Sequence, residues 1–221
     1  MLGCTGHTPP WRIRGNELII RGPQNDGRCT DERYLRVSDP HPPEIGNAYR
    51  EMLDLFPPLP VLPRLEFVRS LRGKAGLFTE RLIVVGVMDA LEIAEQIWRR
   101  HRDWVMRRVA YLHGGQRFDP EMSRRFLFVF VAGRIIAHEF GHALRRYLDV
   151  WTPYPFDEEA SADFWAGVID RLRRKDHELG QEVFFAIGCD GPGCRHPTPD
   201  GRAHAYLAGR AHASRFIEQT A

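Results

Sequence analysis

The segment that most limits how this chain can fold runs from Asp119 to about Val150, "DPEMSRRFLFVFVAGRIIAHEFGHALRRYLDV". Asp119 is suited to cap a helix, Pro120 fits its first position, and Glu121 complements the positive end of the helix dipole. A long helix follows, and it carries His138, Glu139 and His142. Residues four apart share a helix face, so His138 and His142 can direct two imidazoles at one ion. Glu139, about 100° further round, can address a ligand of that ion. This is the arrangement in which two histidines bind zinc and the intervening glutamate activates water. Gly141, inside the motif, costs the helix about 1 kcal/mol relative to alanine, which points to a close backbone contact at that position.

The pentapeptide also occurs by chance, and a third ligand decides the matter. "EEASADFWAG" (158–167) follows on the next predicted helix. Glu159 and Asp163 are four apart, so both can face the first helix. Glu159 would complete a two-histidine, one-carboxylate site with the fourth position open, as catalytic zinc requires. Asp163 can accept the free ring N–H of a ligating histidine and fix its tautomer. Glu158 is the rival ligand, but its i+4 partner is Ala162. The plainer reading, an acidic helix start complementing the dipole, explains neither the pairing nor the preceding motif.

The remaining chain narrows the class. With 221 residues, 43% of them hydrophobic, it can build one good core, and a formal charge of +2 gives no reason to expect nucleic acid as partner. The longest apolar run, "FLFVFVAG" (126–133), is closed by Arg134, so no transmembrane segment is expected. The N-terminus lacks a signal peptide's apolar stretch, and a cytoplasmic location is the default expectation. Four cysteines are too few for a disulfide-built scaffold. Cys189 and Cys194 are expected to be reduced, and a thiolate from Cys4 or Cys29 is a conceivable occupant of an open zinc position. "IWRRHRDWVMRR" (97–108) reads as a helix with a tryptophan-lined inner face and a solvated arginine face rather than a nucleic-acid grip.

Residues 1–63 read as an N-terminal extension, partly irregular, with one short strand at 17–22, one amphipathic helix near 44–56 and a proline-rich connector. Residues 64–221 form the main domain. Two strands, "RLEFVRS" and "ERLIVVGVM", are expected, joined by a glycine-containing turn, then a helix from Asp89 to about Leu112. The glutamate helix is expected from Asp157 to about Asp176, with two more helices around "CDGPGCRHPTPDG".

"HEFGH" followed by "EEASAD" resembles the gluzincin type of zinc metallopeptidase. "LIVVGVMDAL" is similar to the strand-plus-helix segment ahead of the motif in the HtpX and CAAX-protease group. "RHPTPDGR" is similar to that group's C-terminal His-Pro segment with a following arginine, here His196 and Arg202. Without the transmembrane helices of those enzymes, the nearest likeness is a compact soluble core of that group or a minigluzincin core; "ADFWAG" is also similar to the neutral zinc metallopeptidases. The resemblance implies an α+β, zincin-like fold: a small mixed sheet with a backing helix, the motif helix, the glutamate helix and a helical C-terminal part. It implies one Zn2+ held by His138, His142 and Glu159, with Asp163 behind them. Glu139 would be the general base, and His196 and Arg202 donors to the developing oxyanion. A peptide or protein substrate would lie extended along an edge strand at 82–87. The competing expectation is a zinc-binding regulatory or interaction protein of peptidase-like fold with little turnover, for which Glu139 would have no use.

Overall fold

The computed structural model describes residues 11–23, 29–37, 44–56, 59–79, 81–116, 118–188 and 197–220. The chain is α+β. In order come strands β1 (Trp11–Arg14), β2 (Glu17–Pro23) and β3 (Cys29–Leu35), helix α1 (Glu44–Leu53), and strands β4 (Arg64–Val68), β5 (Gly76–Thr79) and β6 (Leu82–Gly86). Five helices follow: α2 (Val87–Leu112), α3 (Pro120–Leu148), α4 (Glu158–Leu172), α5 (His177–Ile187) and α6 (Pro199–Thr220).

The N-terminal segment is more ordered than its composition suggests. Instead of one short strand in a loose covering, β1, β2 and β3 form an antiparallel sheet in that order. It packs on the second sheet, where β6 lies between parallel β4 and antiparallel β5. The alternation along β6 divides two cores. Leu82 and Val84 join Leu18, Ile20, Tyr34 and Val68 between the sheets, while Ile83 and Val85 face the helices. A strand buried on both faces needs an unbroken apolar run, and "LIVV" is one. The expectation of an edge strand at 82–87 is therefore corrected: β6 is central. The strand on the helix side of the sheet edge is β5, which hides in what reads as a turn between two strands.

Helix α1 buries Ile45, Tyr49 and Met52 in the helical core, so residues before 63 contribute to the same interior as those after it. Helix α2 leaves β6 directly and kinks at His101 (φ −135°). It buries Trp98 and keeps Arg99, Arg100, Arg102 and Arg107 exposed, as expected of a solvated arginine face. Near its start the Asp89 carboxylate accepts from Leu71 N (2.6 Å) and Gly73 N (2.9 Å), fixing the loop that leads into β5.

Helix α3 is the axis of the molecule. Asp119 caps it by accepting from Met122 N (2.8 Å), with Pro120 at the first position. By length and a mean hydropathy of 1.3 it could cross a membrane, but 83% of that window is buried inside the protein, which is how a core helix behaves. Asp157 caps α4 through Ala160 N (2.9 Å). That helix stops at Leu172, short of the expected Asp176, because Arg174 turns into the left-handed region (φ 53°) and Asp176 caps α5 instead. Gly167 and Gly209 let α4 and α6 touch backbone to backbone, at Tyr206 O and Phe164 O respectively. One buried ion pair ties this layer to α3. The Arg134 guanidinium donates to Asp170 through Nε (2.5 Å) and Nη2 (2.7 Å), and Tyr206 Oη–H donates to the same carboxylate (3.0 Å).

Candidate metal centre

Three helices converge on one point. Gly141 lets α3 approach α4: a Cβ there would lie 2.7 Å from Ala162 O and 3.0 Å from Ala162 Cα. This is the close backbone contact expected from a helix-weakening glycine inside the motif. It brings His138 and His142 against the first turn of α4, where Glu159 and Asp163 project toward them. Glu158 is exposed to solvent and points elsewhere.

The two Nε2 atoms stand 3.2 Å apart. Glu159 Oε2 is 3.3 Å from Nε2 of His138, and Oε1 is 3.7 Å from Nε2 of His142. A tetrahedral ion with ligands at about 2.0–2.1 Å sets its ligand atoms about 3.3 Å apart, and the spacing here is compatible with a single metal ion. The Glu139 carboxylate shares the site, its oxygen and the histidine nitrogens all within 4.8 Å of one another. His138 and Glu139 are buried, while His142 and Glu159 are partly exposed and leave a route in from solvent.

Behind the ligands sits a second layer of charge. His138 Nδ1 bonds Asp163 Oδ1 (2.7 Å), while Nε2 faces His142 and Glu159, with Arg202 Nη2 3.4 Å away. Arg202 clamps the same carboxylate, donating from Nε to Oδ2 (2.9 Å) and from Nη2 to Oδ1 (2.7 Å). Its Nη2 also lies 3.9 Å from Glu159 Oε2. Thr198 Oγ1 accepts from Gly201 N (3.2 Å) at the start of α6, fixing the turn from which Arg202 reaches inward. His142 is held differently: the Phe78 ring of β5 lies parallel to it, centroids 6.4 Å apart.

The electrostatics follow from burial and from these neighbours. Burial pushes the Glu139 carboxyl up to about 7; His138 opposes this, and the nearby carboxylate of Glu159 adds to it. Burial lowers the His142 imidazole to about 3, His138 acting in the same direction, so His142 is neutral, the form that binds metals. For His138, burial and the Arg202 charge favour the neutral ring, but Asp163 outweighs them and holds it at about 9. Burial alone would raise Glu159, yet the hydrogen bond from His138 and the surrounding cations hold it well below the usual carboxylate range.

Of the residues singled out in the sequence, His138, Glu139, His142, Glu159, Asp163 and Arg202 come together. His196 lies outside the described residues, as do Cys4, Cys189 and Cys194. Cys29 is disulfide-bonded and offers no thiolate. Gly76 and Phe78 also border the site, and only the strand order reveals them. No protein-family model matches the chain, and no curated protein or solved structure matches it either.

Proposed function

We propose that this chain hydrolyses peptide bonds with one zinc ion held by His138, His142 and Glu159, on a zincin-like arrangement of helices and sheet. The observation that supports this reading is the convergence of the two Nε2 atoms, 3.2 Å apart, with one Glu159 oxygen 3.3 Å from His138 Nε2, the other 3.7 Å from His142 Nε2, and Glu139 alongside. Bound zinc would supply Lewis acidity toward the scissile carbonyl and bring water's pKa toward neutrality. Glu139 is placed to take the proton from the attacking water and return it to the leaving amine. With zinc bound, Asp163 would accept the Nδ1 proton of His138 and turn Nε2 toward the ion. Arg202 spends its guanidinium on Asp163, so its part is to position the ligand array rather than to meet an oxyanion.

The reading is tested by elemental mass spectrometry of the purified protein. About one zinc per chain is expected, with the metal lost or sharply reduced in Glu159→Ala. Glu139→Gln should keep its zinc and lose about 10²- to 10⁴-fold in peptide turnover. A wild type that takes up no zinc after reconstitution would end the proposal. Metal without any turnover in the wild type would favour a zinc-binding regulatory protein.

A further inference from the structure

A second, separate cleft of about 360 Å³ opens between α1, the N-terminal half of α3 and the turn that joins α4 to α5. Its cations are undersupplied with partners. Among its charged groups, Arg134 is paired with Asp170, and Asp176 with Arg108. Arg174 and Glu44 are exposed. That leaves Glu51 to serve two cations: Arg173 donates to it from Nε (3.1 Å) and from Nη2, and Lys175 Nζ stands 3.8 Å away. The Arg173 side chain is only 5% exposed, and its Nη1 is buried with no acceptor. A buried donor of this kind carries an unpaid desolvation cost that an incoming oxygen would relieve. The Lys175 ammonium is lowered, first by burial and then by the Arg173 charge.

The rest of the wall is apolar. Phe126, Val129 and Phe130 line one side, and space remains because Gly133 faces Ala48, where an added Cβ would meet nothing closer than 4.0 Å. We propose that this cleft binds a small amphipathic oxyanion, a phosphate or carboxylate head that takes donors from Arg173 and Lys175 and an apolar body laid along Phe126 and Phe130. The head competes with Glu51 for the two cations, and that carboxylate, 55% exposed, is free to swing out.

Calorimetric titration of the full chain with phenyl phosphate tests this. Saturable one-site binding is expected, with inorganic phosphate and phenol each weaker. Arg173→Met and Lys175→Met should each weaken it at least about tenfold, the equivalent of one charge-assisted hydrogen bond. Glu51→Gln should tighten it severalfold, an effect a merely structural ion pair would not produce. Lys175→Met, at a partly exposed site, keeps the test decisive if Arg173→Met does not fold. No binding at millimolar phenyl phosphate would overturn the proposal. So would affinity unchanged in the methionine variants, weaker binding in Glu51→Gln, or binding abolished by prior EDTA treatment, which would place the anion at the His138 cluster.

Discussion

Gly76 lacks a side chain because Glu139 occupies the space. A Cβ there would collide with Glu139 Oε1 and lie 2.7 Å from Ile135 Cγ2. In the proposed reaction, Gly76→Ala should push the base aside and lower turnover at least about tenfold while zinc stoichiometry stays at one, as paired activity and metal assays would show. Asp163→Asn keeps the shape but removes the charge shared by His138 and Arg202. Zinc affinity, measured by competition with a chelator, should fall about 10- to 100-fold. At this scale the sequence is most informative where chemistry is local. His138, Glu139 and His142 lie within one helical turn or so, and Glu159 and Asp163 within another, so periodicity alone aligns them. The anchoring of Arg202 on Asp163, and the Phe78 ring beside His142, join elements distant in the chain, and no local spacing encodes them.

Two glycines of α3 separate helix propensity from helix packing. Gly133 has room for a methyl, which would meet Ala48 Cβ at 4.0 Å, so Gly133→Ala should stabilise the protein by about 1 kcal/mol, the ordinary helix preference for alanine. Gly141 faces the Ala162 backbone, and Gly141→Ala should destabilise by about 1–3 kcal/mol as α3 and α4 are forced apart. Thermal unfolding of the two variants should therefore shift in opposite directions. The helices were legible because their starts are written in single residues: Asp119 and Asp157 cap where expected. The end of α4 was not, because an arginine rather than a glycine takes the left-handed turn. Strands β1 and β3 escaped for a different reason. "WRIR" and "CTDERYL" are half-exposed and rich in charge, and only pairing with β2 makes them strands.

The two cores and the buried charge pair set the stability of the whole molecule. Asp170→Ala would leave the Arg134 guanidinium and the Tyr206 hydroxyl without their shared acceptor in the interior. A loss of about 3–5 kcal/mol is expected by denaturant unfolding. Replacing both charges, as in Arg134→Met with Asp170→Leu, should recover most of that loss, because the desolvation cost disappears with the pair. The mixed α+β class expected from the helix and strand patterns and the resemblance is the one found, but neither could rank the strands: β6 is central because apolar partners cover both its faces, a property of the assembled sheets.

The burial of α3 also bears on how the chain is made. Synthesis delivers this helix before α4, α5 and α6, so its apolar faces leave the ribosome well ahead of the partners that cover them. Through that interval the segment has the length and hydropathy of a membrane span, with only α1, α2 and the sheet available to cover it. Nascent chains halted near residue 150 should therefore be held by chaperones or aggregate, whereas chains extended through α6 should release as folded protein.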